Sequence, residues 1–120
     1  MEIISRTKPK ALKNHICDWC NCKINKGTVY ESSFCVQDGD TYTWKNHTHC
    51  ENIASHLKMF DHDDGYGVTD EAFQETIREE YIRIMSIHHS EIYEYEHFKY
   101  PDFEGQLKFV CEFHKVEFNI

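Results

Sequence analysis

Two short pairs, Cys17-x2-Cys20 and His47-x2-Cys50, constrain this chain more than any other feature. Two residues between paired ligands let one tight turn present both side chains to one ion, and zinc takes four Cys or His ligands in a tetrahedron. The 26 residues between the pairs carry hairpin signals, so the chain is expected to fold back and bring the pairs together. The expected metal ligands are therefore Cys17, Cys20, His47 and Cys50, around one structural Zn²⁺. Buried free thiols that pack as small hydrophobes are the bland alternative, and they do not explain ligand spacing in both pairs. Three neighbours compete for ligand positions: Cys22 after Cys20, His49 beside Cys50, and His15 ahead of Cys17. Cys35 sits on an expected strand and Cys111 has no nearby partner, so both read as packed thiols.

The hairpin is legible residue by residue. Gly27 turns into Thr28, Val29, Tyr30, Phe34 and Val36, all β-formers. Asp38-Gly39 within QDGD supplies the positive-φ positions of a tight turn, and TYTW (41–44) is the returning strand. Residues 50–60 then space Ile53, Leu57 and Phe60 like one face of a short helix. The first fourteen residues read as a short basic lead with Arg6, Lys8, Lys10 and Lys13.

With its ligand pairs, Ile24, Gly27, the Asp38-Gly39 turn and Trp44, residues 15–56 resemble the zinc finger of poly(ADP-ribose) polymerases. They are similar also to the first half of a LIM finger, and to small zinc proteins of phages and mobile elements in which such a finger precedes an acidic helix. The resemblance implies a treble-clef-like frame with zinc on Cys17, Cys20, His47 and Cys50. The polymerase pattern would also imply binding to DNA breaks, but the finger here is only weakly basic.

Past residue 60 the pattern changes. DHDDGYGV (61–68) is too rich in Gly and Asp for a regular element. Thr69 is an expected N-cap for a helix over 70–88, with Asp70 and Glu71 in its first turn and a core stripe of Phe73, Ile77, Tyr81, Ile84 and Ile87. Residues 91–104 alternate acids with aromatics as a second helix or an extended docking segment, and QLKFVCEF (106–113) alternates like a strand. The fold class expected is α+β: a small zinc-stabilised β-hairpin module over 1–60, then an acidic helical segment and a C-terminal strand over 61–120, packed as one unit.

Charge divides the same way. The 120 residues carry 13 Lys and Arg against 21 Asp and Glu; residues 1–60 hold eight against six, and residues 61–120 five against fifteen. Aromatics at 14% exclude a disordered acidic tail. No apolar run reaches membrane-spanning length, and MEIISRTKPK lacks the apolar stretch of a signal peptide, so a reducing cytoplasm is the expected setting.

The expected function is a non-enzymatic zinc-binding interaction protein with an acidic, aromatic-rich docking face for a basic or nucleic-acid-binding protein partner. One concrete version is a phage-type inhibitor whose carboxylates stand in for phosphates. The alternative is nucleic-acid binding through the Lys-rich finger with Trp19 or Trp44 stacking on a base, against which the net charge works. A metal-dependent nuclease is a third reading, with His49 as its candidate base, but no HNH-type, GxSxG or P-loop run occurs. His88-His89 suits a helix C-terminus, and the DHDD loop lacks the spacing of an EF-hand.

Overall fold

The computed structural model describes residues 2–62, 68–88 and 101–118. In chain order these form β1 (Glu2–Thr7), β2 (His15–Ile16), β3 (Lys23–Ile24), β4 (Tyr30–Gln37), β5 (Asp40–His47), α1 (Thr48–His56), a 3₁₀ turn (Met59–His62), α2 (Asp70–His88) and α3 (Phe103–Phe113). The chain is α+β, with a three-stranded antiparallel sheet in the order β1-β4-β5 and a two-stranded ribbon of β2 and β3.

The β4–β5 hairpin follows from its turn. Gln37 pairs with Asp40, so the loop has two residues, and both take positive φ: Asp38 at 54° and Gly39 at 85°. Such a turn matches the twist of the flanking strands. Pairing then runs without a break from Gln37–Asp40 to Tyr30–His47, so the returning strand extends beyond TYTW to His47. This register delivers His47 to the start of α1.

The N-terminal residues are not a lead without structure. They form β1, which pairs antiparallel with β4 along its open edge. A register shift between Ile3 and Ser5 breaks the two-residue alternation, which hides the strand from periodicity. Phe60 also departs from expectation. The helix starts at Thr48 and ends at His56, and Lys58 adopts a φ of 59°, so Phe60 falls in the 3₁₀ turn and stays partly exposed.

Helix α2 occupies residues 70–88 as expected, with the Thr69 hydroxyl accepting a hydrogen bond from the Ala72 amide at 3.1 Å. Phe73, Ile77, Tyr81 and Ile84 are buried, but Ile87 is 63% exposed and Met85 takes its place. On a helix of 3.6 residues per turn, Met85 and Ile87 lie on opposite borders of the stripe, and the Met85 border is the covered one.

The expected C-terminal strand is a helix. The Asp102 carboxylate caps α3 by accepting from the Gly105 amide at 2.9 Å. Leu107, Val110 and Cys111 are buried at three- and four-residue spacing, while Phe113 is exposed. The alternation of Leu107, Phe109, Cys111 and Phe113 fitted a strand only because Phe109 borders the helical stripe. There it meets Tyr81 of α2 edge-on, ring centres 5.3 Å apart.

One core joins the two halves. Ile24, Ile53 and Ala54 from the first half share a buried cluster with Phe73, Ile77, Ile84, Leu107 and Val110 from the second. Among the described residues no helix is long and apolar enough to cross a membrane.

Candidate metal centre

The β2–β3 ribbon is a frame for Cys17 and Cys20. His15 pairs with Ile24 and Ile16 with Lys23. Inside that frame the Cys17 amide donates to the Cys22 carbonyl, and the Asn21 amide to the Cys17 carbonyl, both at 2.9 Å. Asn21 takes a φ of 61°, which a short amide side chain tolerates, and the chain reverses there. The Cys20 amide points at the Cys17 sulfur, 3.5 Å away.

The second pair comes from the β5–α1 junction. His47 ends β5 with extended backbone, and Cys50 lies in the first turn of α1. The knuckle is fastened to β5 by Asp18, whose amide donates to the Lys45 carbonyl while its carboxylate accepts from the Lys45 amide, both at 2.7 Å. It is fastened to the segment leading into α2 by the Trp19 indole, which donates to the Val68 carbonyl at 2.8 Å, and to α2 itself by the Gln74 side-chain amide, which donates to the Trp19 carbonyl at 2.9 Å.

Cys17, Cys20, His47 and Cys50 converge as a result. Their ligand-type atoms all lie within 4.8 Å of one another, and all four residues are buried. The Cys20 sulfur is 3.3 Å from His47 Nδ1; the Cys50 sulfur is 3.8 Å from that nitrogen and 3.8 Å from the Cys17 sulfur. The six cysteines are free thiols. The spacing fits a metal: a tetrahedron with metal–sulfur bonds of about 2.3 Å has edges of about 3.8 Å. His47 Nε2 lies 3.0 Å from the Lys23 carbonyl, which fixes the ring and leaves Nδ1 toward the sulfurs.

The electrostatics of the cluster are those of groups crowded together. Burial pushes the Cys17 thiol up, but hydrogen bonds from Cys20, Cys50 and His47 outweigh it and hold Cys17 below the ordinary thiol range. Cys20 is raised because it donates to Cys17, and Cys50 is raised first by burial and then by Cys17. For His47 burial favours the neutral ring, but the Cys17 sulfur prevails and raises it.

The competing residues lie outside this group. His49 is 1% exposed, its ring stacked between His47 at 4.4 Å and Phe118 at 4.1 Å. The half-buried Cys22 thiol donates to the Cys20 carbonyl at 3.5 Å. His15 packs on the Tyr30 ring and meets Lys45 Nζ at 3.3 Å. Cys35 is buried on β4, and Cys111 is buried on α3, where burial first and Glu112 second push its thiol up to about 12. Asp61 is exposed; Asp63, Asp64, His89 and residues 91–100 of the acidic aromatic segment lie outside the described residues. Sequence reasoning missed the Asp18–Lys45 clamp and the Lys23 carbonyl that orients His47. The carbonyl carries no side-chain signal, and the clamp depends on strand register.

The chain matches no protein-family model, no curated protein and no solved structure.

Proposed function

We propose that this protein is a non-enzymatic zinc-binding interaction protein built on a treble-clef-like finger. The observation that carries the reading is the buried convergence of Cys17, Cys20, His47 and Cys50. Three thiols and one imidazole suit Zn²⁺ better than hard cations, which prefer oxygen. Four protein ligands close the coordination shell, which is the arrangement of a structural rather than a catalytic zinc. The enclosure of His49 between two rings also speaks against a general base at that position.

The partner in this reading is a basic protein surface. Glu71, Glu75 and Glu79 are exposed on α2, away from its buried stripe. They give a row of carboxylates that would attract such a surface and stand in for phosphates, as in the phage-type inhibitor version. Cobalt replacement tests the metal half: tetrahedral Co²⁺ on three thiolates gives thiolate charge-transfer absorption, and its absence removes the reading. Affinity capture with a charge-reversed control (Glu71→Lys, Glu75→Lys, Glu79→Lys) tests the partner half. A basic partner should be captured by the native chain and lost on reversal; capture that survives reversal contradicts the acidic face.

One observation favours nucleic-acid binding as a second reading. Lys10, Lys13, Lys23 and Lys26 are all exposed on or beside the β2–β3 ribbon, next to exposed Leu12, Ile16 and Val29. Stacking by Trp19 is no longer part of it, because that ring is only 5% exposed. A gel shift at low salt on duplex, nicked and single-stranded DNA and RNA decides: no shift ends this reading.

A further inference from the structure

The ribbon that frames Cys17 and Cys20 has an outer face. Lys10 bridges to Val29, His15 pairs with Ile24 and Ile16 with Lys23, so one antiparallel register runs through residues 10–16 and 23–29. Side chains alternate between the two faces of such a ribbon. Ala11 and Ile24 fall on the inner face and are buried. The pairs Lys10–Val29 and Ile16–Lys23 fall on the outer one: Val29 is 48% and Ile16 59% exposed, and both lysines are exposed. Between these pairs the chain bends at Leu12, which is 87% exposed, with Lys13 and Lys26 exposed near it. The bend is tied across the ribbon, because the Gly27 amide donates to the Ala11 carbonyl and the Lys26 amide to the Asn14 side-chain oxygen, both at 2.8 Å.

The charge on this face has one sign. From Lys8 to Tyr30 the one carboxylate is Asp18, and it accepts from the Lys45 amide in the clamp. Lys8 is paired with Glu31 at 3.7 Å. Lys10, Lys13, Lys23 and Lys26 enter no ion pair among the described residues. Four ammonium groups without a carboxylate partner therefore stand among three exposed aliphatic side chains. Single exposed aliphatic residues need no explanation, but three on one basic face mark a contact surface.

The aliphatic residues decide between anionic partners. Lysines alone would serve a nucleic-acid backbone as well as a lipid surface. The outer-face positions 10, 12, 14 and 16 and their partners 23, 25, 27 and 29 hold no aromatic ring on which a base could stack. An anionic bilayer uses both kinds of residue: its headgroups attract lysines, and its headgroup–acyl boundary takes aliphatic side chains. The cross-strand pairs suit it, because a lysine stem can lie along the aliphatic side chain opposite while its ammonium reaches outward. The net charge of −8 does not forbid such a contact. Fields in salt reach about 8 Å at physiological ionic strength, so the lysines at the contact outweigh acids farther off.

We propose that the outer face of this ribbon docks on an anionic lipid bilayer, Leu12, Ile16 and Val29 entering the headgroup–acyl boundary and Lys10, Lys13, Lys23 and Lys26 meeting the lipid phosphates and carboxylates. The attachment is peripheral and reversible, since three short side chains bury far less apolar surface than a spanning helix. It uses neither the candidate metal ligands nor the acidic row of α2.

The test is co-sedimentation of the full zinc-loaded chain with vesicles of phosphatidylcholine alone, or with about one third phosphatidylserine. The chain should sediment with the anionic vesicles, at least about tenfold more weakly with the neutral ones, and be released as salt rises. Leu12→Ser with Ile16→Ser, and separately Lys10→Gln with Lys23→Gln, should each weaken anionic-vesicle binding at least about fivefold while zinc content stays at one per chain. Leu12→Met with Ile16→Leu should retain it. The lysine variant changes two solvent-exposed side chains, so it still decides if the serine variant loses its zinc. No sedimentation with anionic vesicles, equal sedimentation with neutral ones, or binding untouched by the lysine substitutions overturns the proposal. Duplex DNA that binds the chain at a salt concentration where anionic vesicles do not would give the face to nucleic acid and also overturn it.

Discussion

Cys17 and Cys50 come from opposite ends of the finger, 33 residues apart in sequence, yet their sulfurs lie 3.8 Å apart in a fully buried setting. Three thiols and an imidazole gathered this closely are what a shared cation would hold, and that reading makes each ligand separately testable. Cys50→Ser and His47→Ala should weaken cobalt binding by at least about a hundredfold, measured by competition with a coloured chelator. Cys22→Ser should leave it within about threefold, because the Cys22 thiol donates to a carbonyl instead of joining the cluster. A Cys22→Ser variant as impaired as Cys50→Ser would move the ligand assignment. The ligand pairs were legible at this scale because x2 spacing is a local property of the chain. The orienting bond from His47 to the Lys23 carbonyl was not, because it appears only after the ribbon and hairpin have closed.

At the scale of elements, local chemistry decided which readings held. The hairpin turn and α2 carry their own boundary signals, Asp38-Gly39 and Thr69, and both stand where those residues place them. The C-terminal segment carries two patterns at once, and its cap decides between them. Asp102→Ala removes the bond to the Gly105 amide and should lower stability by about 1 kcal/mol in urea unfolding. Leu107→Ala opens a cavity between α2 and α3 and should cost about 2–5 kcal/mol. A strand in place of α3 would show no capping effect at Asp102. The strand β1 was illegible for a different reason: its bulge breaks periodicity, and its partner strand lies almost thirty residues on.

The contact between α2 and α3 also has a polar component. Arg83 first, then His114 at the end of α3, hold the Glu80 carboxyl below the ordinary carboxylate range, against the effect of burial. A group whose folded pKa is depressed gives stability that is present above its unfolded pKa and lost as pH falls through its folded one. Stability should therefore decline as pH drops below about 4.5, and Glu80→Gln should flatten that decline in urea titrations at stepped pH. An unchanged slope in the variant would show that Glu80 is not the group responsible.

At the scale of the molecule, the finger and the acidic half are held by the same core. Trp19 lies inside the knuckle, stacks on Phe73 of α2 and bonds to Val68, so losing the metal should loosen α2 as well as the ribbon. The net charge of −8 hides a finger half with a slight basic excess against an acidic helical half, and residues of both halves share one buried core. The packing of Trp19 against Trp44 and Phe60 is a product of this assembly, since no local pattern links residues 19, 44 and 60. The most direct test of the central claim is native mass spectrometry of freshly purified protein, read beside its denatured mass. One zinc per native chain, lost in Cys50→Ser, is the predicted result. A native chain that carries no metal, or a Cys50→Ser chain that keeps its zinc, would contradict it.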